Sequence, residues 1–452
     1  MTGSRHLLEL NGMNLLIDCG SFQGTKENRL RNWMPFPVPA NSIDRVLLTH
    51  AHLDHSGHIP RLVREGFTGP VNCTYATRDL SDILLRDSAH LQEEDAQRAN
   101  EKGYSKHTPA LPLYTVEDAE QSLKLFSPLH YGEELTLDTT VRVKFRDAGH
   151  ILGASQIDIK NGSRKTSRKI LFSGDLGRPD QPILSDPAQV YDVDYLVLES
   201  TYGDRIHDRT EPKLQLAQVI NQSIERGGVL VIPSFAVGRT PTMLYTIREL
   251  EDEGLIPVIP VYVDSPMSIR ATAVFEEHLN DLDITSRRKF MDGKQLFRPQ
   301  QVNFAMTSTE SRAVNQVRER AIIISSSGMA TGGRILHHLE QRLPHRNNTI
   351  LFIGYQAEGT RGRTMLEGAK EVRIHGAEVP VAAHVESITS YSGHGDYQEL
   401  LAWLMGFNHA PEKVFLVHGE PDALTSLSEK IREQFGWETV VPKLGESYEL
   451  DL

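Results

Sequence analysis

The stretch that most constrains the fold of this chain is Thr49–His58, which reads THAHLDHSGH and follows the apolar run Ile43–Leu48. The aliphatic and β-branched residues of that run predict a short strand, so the His and Asp side chains lie on a strand-to-helix loop. Alternate side chains of an extended segment point the same way, so His50, His52 and Asp54 can converge. A lone histidine would be read as a satisfied surface side chain. Three histidines and one aspartate within six residues instead favour two zinc-like ions side by side.

Three further acidic or histidine positions follow apolar runs elsewhere in the chain. Asp18 lies in LIDCG, His150 lies in DAGHILG and Asp175 lies in FSGD. Loops at strand ends often carry function because a rigid scaffold positions them. Together with the HxHxDH segment that ends at His55, these positions resemble the metal-binding signature of the metallo-β-lactamase superfamily. The resemblance implies a hydrolase with a two-metal site.

Length and composition indicate a globular protein of several domains. The chain has 452 residues and a mass of 50.7 kDa, which predicts about two to three domains. It shows neither an apolar run of the ~18 residues that a membrane span needs nor a signal peptide, so no membrane partner is expected. Only Cys19 and Cys73 are present, which favours a reducing, cytoplasmic compartment. The net charge of −12 argues against a broadly basic nucleic-acid surface but not against a local site.

The pattern of the chain changes after the strand-like run that ends at Glu199. From residue 211 to about residue 353, short continuous apolar runs alternate with helical segments, which is typical of a parallel sheet covered by helices. The earlier pattern resumes after residue 376. We therefore predict a first domain at 1–199 that 376–452 completes, with an inserted domain at 200–375.

Three features of the chain resemble the β-CASP branch of the superfamily, whose members process nucleic acids. They are Glu199 after its strand, Ser392-Gly393-His394 before a helix, and His418 at the end of an apolar run. In that branch a histidine at this last position goes with RNA-directed members. The sequence looks most similar to bacterial and archaeal relatives of the cleavage and polyadenylation endonuclease subunit. The resemblance implies an α/β fold, a metallo-β-lactamase αββα sandwich with an inserted β-CASP domain that has a parallel sheet flanked by helices.

The resemblance also implies a role for each site residue. Two zinc ions per chain are expected, although other divalent metals are compatible with the same ligands. The expected ligands are His50, His52 and His150 for one ion, Asp54, His55 and His418 for the other, and Asp175 as the bridge. Asp18 would orient a ligand histidine, and Asp54 would also orient the attacking hydroxide. His394 would protonate the departing 3′ oxygen, and Glu199 would orient its ring and raise its pKa.

Three loops of the inserted domain follow strand-like runs and end in arginine, at 233–240, 325–334 and 354–363. Gly and Ser let backbone N–H groups approach an anion at the start of a helix, and arginine suits phosphate. Three such loops at one sheet edge predict a phosphate-lined cleft, which fits a long anionic substrate. The predicted substrate contacts are Ser234, Arg239, Arg334 and Ser392.

The predicted function is zinc-dependent hydrolysis of phosphodiester bonds in single-stranded RNA, in RNA processing or decay. Two other readings remain open. The same scaffold also serves thioester, lactone and β-lactam hydrolysis, and metals with phosphate loops do not exclude DNA because they do not read the 2′-hydroxyl. The other reading is a noncatalytic RNA-binding subunit. The chain keeps a suitable residue at every ligand position of the family, which argues against this reading. Relatives also lead us to expect a homodimer.

Overall fold

The computed structural model describes residues 3–103, 105–163, 166–354 and 356–452. Within these ranges the chain forms two compact units. Unit 1 comprises the N-terminal part up to Pro179, Asp186–Ile206 and His394–Leu452, and unit 2 comprises Asp180–Ser185 and His207–Gly393. No helix in the described ranges combines the length and the hydropathy of a membrane span.

Strands and helices are interspersed along the described part of the chain. The strands are β1 (His6–Leu10), β2 (Met13–Ile17), β3 (Arg45–Leu47), β4 (Val71–Thr74), β5 (Phe126–Leu129), β6 (Glu134–Thr136), β7 (Arg142–Asp147), β8 (Ser155–Gly162), β9 (Ser167–Phe172), β10 (Tyr195–Glu199), β11 (Val229–Pro233), β12 (Val261–Val263), β13 (Val302–Phe304), β14 (Ala321–Ser325), β15 (Thr349–Ile353), β16 (Glu371–Ile374), β17 (Ala377–Pro380), β18 (His384–Ile388), β19 (Lys413–Val417) and β20 (Thr439–Val440). The α-helices are α1 (Lys26–Arg31), α2 (Leu53–Ser56), α3 (Ile59–Arg64), α4 (Tyr75–Lys102), α5 (Val116–Leu123), α6 (Pro212–Glu225), α7 (Arg239–Asp252), α8 (Pro266–Glu277), α9 (Ile284–Met291), α10 (Ser308–Val314), α11 (Ile335–Arg342), α12 (Arg361–Leu366), α13 (Tyr397–Leu404) and α14 (Pro421–Phe435). Short 3₁₀ turns lie at Ala40–Ser42, Leu279–Asp281 and Thr389–Tyr391.

Unit 1 is built on two sheets that share a hydrophobic core. One sheet has the strand order β1-β2-β3-β4-β5 and the other has the order β20-β19-β10-β9-β8-β7-β6. Side chains of a strand alternate between its two faces. Leu15 and Ile17 of β2 therefore pack with Phe145 and Ile157 of the second sheet, whereas Leu16 belongs to a separate core on the opposite face. Burial of apolar surface between the sheets drives their association.

Helices cover the other faces of both sheets. Ile59 and Leu62 of α3 and Leu85 of α4 pack in the same core as Leu16. In the second sheet, β10 is buried along its whole length, and α14 contacts the neighbouring strands β19 and β20. The layers therefore follow the order helix, sheet, sheet, helix, which confirms the predicted αββα sandwich.

Unit 2 is built on a parallel sheet of six strands in the order β13-β12-β14-β11-β15-β18. Its central strands β11, β14 and β15 are buried along their whole length, as expected where helices cover both faces of a parallel sheet. The hairpin β16–β17 forms a separate two-stranded sheet. The predicted architecture of the inserted domain, a parallel sheet flanked by helices, is confirmed.

The strand β18 differs from our prediction in its partner. It pairs in parallel with β15, with His384 opposite Thr349 and Ile388 opposite Ile353. Residues 376–393 therefore lie in unit 2, whereas the sequence led us to expect that 376–452 completes the first domain. The difference arises because a short β-branched run predicts a strand but does not specify which strand it pairs with.

Candidate metal centre

The metal ligands predicted for unit 1 lie where its strands end. Asp175 follows β9, Glu199 ends β10 and His418 follows β19. These three strands run parallel, so their carboxyl ends lie at one edge of the sheet. His150 follows β7, which is antiparallel to β8 and therefore runs in the same direction as β9. In the other sheet, Asp18 follows β2.

A first group of donor atoms comprises His50, His52, His150 and Asp175, whose ligand atoms lie within 4.8 Å of one another. Nε2 of His50 lies 3.5 Å from Oδ2 of Asp175, and Nε2 of His150 lies 3.7 Å from the same oxygen. Nε2 of His150 is also 3.2 Å from Nδ1 of His52. Donors bound to one tetrahedral zinc ion lie about 3.3 Å apart, so these spacings suit a shared ion.

A second group comprises Asp54, His55 and His418. Nε2 of His55 lies 3.3 Å from Oδ1 of Asp175, and Nε2 of His418 lies 3.7 Å from that oxygen. Nε2 of His418 also lies 3.7 Å from Oδ2 of Asp54. Asp175 thus presents Oδ2 to the first group and Oδ1 to the second, which is the arrangement of a bridging ligand.

Buried donor atoms that make no hydrogen bond test whether ions fit the two groups. Within the described part of the chain, Nε2 of His50, Nε2 of His55 and Oδ1 of Asp175 are buried and make no hydrogen bond. A buried polar atom left unpaired costs about 1–3 kcal/mol, and a bound ion removes this cost. Imidazole nitrogens and carboxylate oxygens are ligands that zinc accepts. The residues therefore fit a pair of zinc-like ions.

The electrostatic surroundings favour deprotonated ligands at most of these positions. Burial lowers the pKa of His50 well below its usual value and lowers the pKa of His52 to about 4. Burial alone would raise the pKa of Asp175, but His418, His55 and His50 outweigh it and hold this pKa well below its usual range. Metals bind neutral imidazole and ionised carboxylate, so these directions favour an ion over a proton.

Asp18 and Thr49 contact two of the predicted ligand histidines. Nδ1 of His55 lies 2.6 Å from Oδ2 of Asp18, which leaves Nε2 for the second group. Oγ1 of Thr49 donates to the same carboxylate over 2.9 Å and lies 3.0 Å from Nδ1 of His50. Burial lowers the pKa of His55, but Asp175 and Asp18 outweigh it and raise this pKa well above its usual value, so a proton competes with an ion at this ring. We predicted an orienting residue at Asp18 but not at Thr49, whose sequence signal is its place directly before His50.

Two of the site residues adopt a left-handed backbone conformation. The φ angle is 59° at Asp18 and 54° at His418. A residue other than glycine pays of order 1–2 kcal/mol for this conformation. The rest of the fold must offset this conformational energy at Asp18 and at His418, whose side chains lie at the donor groups.

His394 forms a further group with Glu199 and Asp175. Nδ1 of His394 lies 3.1 Å from Oε1 of Glu199. The backbone N–H groups of Leu176 and Thr201 donate to the two oxygens of the Glu199 carboxylate over 2.7 Å and 3.1 Å, which fixes its orientation. Burial lowers the pKa of His394, but Glu199 and then Asp175 outweigh it, so this pKa is raised. The side chain remains 21% exposed, so a protonated imidazole is accessible from solvent.

The predicted substrate contact Ser234 lies in unit 2 and is fully buried. Its hydroxyl donates to the carbonyl of Phe235 over 3.3 Å and accepts from Oγ1 of Thr240 over 3.1 Å. These bonds close the loop between β11 and α7. A fully buried hydroxyl orders this loop and does not reach a phosphate without movement of the loop, which differs from the direct contact that we predicted.

The predicted contact Arg334 also has internal partners. Its guanidinium donates to Oδ1 of Asp264 over 2.8 Å and to the carbonyls of Ala305 and Met306. Asp264 also accepts from His338 over 2.7 Å. Arg334 thus connects loops at the carboxyl ends of β12, β13 and β14. We did not predict a role for Asp264, although its position directly after β12 is a usable sequence signal.

The other predicted contacts lie at element ends of unit 2. Arg239 is the first residue of α7, after Gly238 with a φ of 82°. Ser392 follows the 3₁₀ turn Thr389–Tyr391 and is buried. Their contacts with phosphate remain predictions. In the third predicted phosphate loop, Tyr355 lies outside the described residues.

Three family models match consecutive parts of the chain. The metallo-beta-lactamase superfamily model matches residues 6–216. The Beta-Casp domain model matches residues 240–365. The model of the Zn-dependent metallo-hydrolase RNA specificity domain matches residues 378–442.

Individual proteins match over nearly the whole chain. Ribonuclease TTHA0252 of Thermus thermophilus is 36% identical over 447 residues, which cover 99% of this chain and 96% of that protein. The transcription termination factor FttA of Methanocaldococcus jannaschii is 31% identical, over 95% of this chain and 66% of its own length. FttA of Methanosarcina mazei is 32% identical, over 96% of this chain and 67% of its own length. The chain thus spans about two thirds of these archaeal relatives.

One solved structure of similar fold comes from Enterococcus faecalis V583, where it is described as a protein of unknown function. The two chains superpose with a TM-score of 0.54 at 12% sequence identity, over 98% of this chain and 96% of the other. At this identity the likeness concerns the fold alone.

Proposed function

Because the chain belongs to the β-CASP family of metal-dependent nucleases in the metallo-β-lactamase superfamily, we propose that it hydrolyses phosphodiester bonds of single-stranded RNA. The observation that carries this proposal is the position of Asp175, with one carboxylate oxygen facing each donor group. His394 lies beside the same aspartate, with Nδ1 3.9 Å from Oδ2. The groups that we propose bind metal and donate a proton are therefore adjacent in unit 1.

Two zinc ions are the proposed cofactor. One would be held by His50, His52 and His150 and the other by Asp54, His55 and His418, with Asp175 shared. When bound, the ions supply Lewis acidity, which lowers the pKa of water toward ~7 and offsets negative charge on the phosphate. Asp54 is half-buried, and its carboxylate would accept a hydrogen bond from the attacking water and orient it.

His394 is the proposed general acid. Hydrolysis adds the water oxygen to phosphorus and breaks the bond to the 3′ oxygen, which needs a proton as it leaves. The Glu199 carboxylate favours the protonated form of His394 and holds Nδ1, so Nε2 is the nitrogen that would donate this proton. Glu199 itself has both oxygens bound by backbone N–H groups and serves as a positioning residue.

RNA is the proposed substrate because of the relatives and the match to an RNA specificity domain. The relative from Thermus thermophilus is named a ribonuclease, and residues 378–442 match the RNA specificity model. With a net charge of −12, the chain must recognise phosphate locally. Arg239 at the start of α7 offers a guanidinium and a helix N-terminus for this purpose. We also propose a cytoplasmic location, which fits the two buried free cysteines, and a homodimeric assembly.

The test of this function is cleavage of a single-stranded RNA labelled separately at each end. The zinc-loaded protein is compared with His394→Ala and with the matched control His409→Ala, an exposed histidine of the same unit. We expect His394→Ala to retain zinc and to slow cleavage by about 10²-fold or more, whereas His409→Ala cleaves normally. The pattern of labelled fragments separates internal cutting from cutting at an end.

Two results would contradict the proposal. If the fully metallated protein does not cleave RNA but cleaves a DNA strand of the same sequence, the proposed substrate is wrong. If His394→Ala retains zinc and cleaves at the normal rate, the proposed acid is wrong, whatever the substrate.

A further inference from the structure

A group of metal-binding side chains in unit 2 has no part in the proposed reaction. His337, Glu340 and His375 each offer one ligand atom, and these atoms lie within 4.8 Å of one another. His337 and His375 are exposed, and Glu340 is half-buried. We propose that these three residues bind a further divalent transition metal ion, with zinc as the ion that best suits two imidazoles and one carboxylate.

The three ligands come from two elements that are packed together. His337 and Glu340 are three residues apart on α11, so they lie on one face of that helix. His375 lies at the turn of the β16–β17 hairpin. Ile374, next to it, packs in the same hydrophobic core as Leu339 of α11. The ligands are therefore held in place before an ion binds, which reduces the entropy that binding costs.

The polar atoms of these side chains are available. Among the residues that the structure describes, none makes a hydrogen bond or an ion pair with the imidazole of His337, the imidazole of His375 or the carboxylate of Glu340. The two rings instead stack on each other, with centroids 4.6 Å apart and planes at 27°. An ion would have no protein partner to displace from any of the three ligands.

The backbone at His375 supports a role for its side chain. His375 has a φ of 49° and Gly376 a φ of 88°, and they form the two-residue turn closed by the pair Ile374 and Ala377. Such turns favour Asn, Asp or Gly at the first position, because both central residues need positive φ. Histidine costs conformational energy there and brings an imidazole to the face that holds the other two ligands.

An ion at this site would also act on a neighbouring loop. Nε of Arg361 donates to the carbonyl of Arg373 in β16 over 2.7 Å, and Nη1 donates to the carbonyls of Ala330 and Thr331. The loop 326–334 is thus connected to the hairpin through Arg361 and leads directly into α11. An ion that links the hairpin to α11 would therefore restrain this loop at both connections. Three ligands leave the coordination open, and exposure permits exchange with solvent, so this ion would be exchangeable.

The test is zinc bound per chain as free Zn²⁺ is raised in a metal buffer, measured on the whole protein by elemental analysis. Wild type is compared with His375→Asn, which keeps a residue that tolerates the left-handed turn, and with Glu340→Gln. His345→Gln is the matched control, because His345 is an exposed histidine of the same unit outside the group. We expect wild type and His345→Gln to bind one zinc more than the other two variants. Zinc ions bound at the candidate metal centre of unit 1 contribute equally to all four proteins, so they do not affect the difference.

Hydrogen exchange gives a second reading that does not depend on RNA cleavage. Zn²⁺ should slow exchange at 374–377 and 326–334 in wild type but not in Glu340→Gln. Equal zinc content in wild type, His375→Asn and Glu340→Gln would overturn the proposal. Loss of one zinc in His345→Gln as well would also overturn it, because zinc would then bind surface histidines without selection. Neither outcome bears on whether the protein cleaves RNA.

Discussion

Oδ2 of Asp18 lies 2.6 Å from Nδ1 of His55, although the two residues are 37 positions apart in the chain. The hydrogen bond leaves Nε2 as the nitrogen of the His55 ring that can bind a metal. Oγ1 of Thr49 donates to the same carboxylate and lies next to Nδ1 of His50, so Asp18 is linked to His50 as well. One residue at the end of β2 is thereby linked to a predicted ligand in each donor group. Partners of this kind raise ligand basicity and hold the ring in place.

We expect Asp18→Asn to weaken zinc binding by about 10- to 100-fold, because the ring of His55 loses its anionic partner. Competition with a chromogenic chelator measures this affinity on the purified protein. Asp95→Asn, an exposed aspartate on α4, is the control and should bind zinc normally. An unchanged affinity in Asp18→Asn would show that the hydrogen bond does not orient the ligand.

The carboxylate of Glu199 should set the basic limb of the pH–rate profile. Burial lowers the pKa of His394 and Glu199 raises it more, so the protonated acid persists above the usual histidine pKa. In Glu199→Gln the raising charge is absent, so His394 loses its proton at lower pH and the fall of kcat/KM should move to lower pH. Rates of the zinc-loaded enzymes across pH 5–10 check this expectation. If the basic limb of the Glu199→Gln profile does not move, that limb reports the titration of a group other than His394.

The clustering of the predicted ligands follows from the sequence through the resemblance of HxHxDH and of the later aspartate and histidine positions to a metal-binding signature. Strand ends bring distant residues to one sheet edge, which accounts for the 3.7 Å between Nε2 of His418 and Oδ1 of Asp175. The order of the layers was implied by the same resemblance, because Leu15, Leu16 and Ile17 of β2 are all buried and their apolar run does not alternate. Local pattern and tertiary structure agree in these parts of unit 1.

The phosphate loops could not be predicted in the same way, because long-range partners decide what their side chains do. Arg334 follows a run of Gly and Ser, which is typical of a phosphate loop, yet its guanidinium binds Asp264, 70 positions away. Ser234 is likewise held by Thr240. The pairing of β18 with β15 has the same cause, since a strand of five residues carries no signal for its partner.

The stability of the protein should fall in mild acid through His58. Burial, and then Arg5 and Arg61, lower the pKa of His58 to about 2, and the side chain stacks near Phe36. Since the unfolded chain binds the proton near pH ~6.5 and the folded chain does not, stability is lost as pH falls below that value. At pH ~4.5, two units lower, the loss is about 3 kcal/mol.

His58→Gln removes this titration, so its free energy of unfolding should fall less between pH 7 and pH 4.5 than that of wild type, by about 3 kcal/mol. Guanidinium unfolding of both proteins in the presence of a chelator measures the difference, because the metal ligands then titrate equally in both. Equal pH dependence in the two proteins would mean that His58 is solvated or protonated in the folded state.

The last prediction concerns the close approach of Gly20 to the ligand loop. A Cβ at Gly20 would lie 1.6 Å from the carbonyl oxygen of Asp54 and 2.8 Å from the backbone nitrogen of His55. Both atoms belong to the backbone of α2, so no side-chain rotation relieves the clash. Gly20→Ala should therefore displace two ligands of the second donor group and reduce bound zinc toward one ion per reaction centre. Gly332→Ala is the control, because a Cβ there meets no atom within 4 Å. Elemental analysis of bound zinc and thermal unfolding of both variants test this prediction. A Gly20→Ala protein with full zinc content and unchanged stability would show that the backbone of α2 moves to accommodate the Cβ.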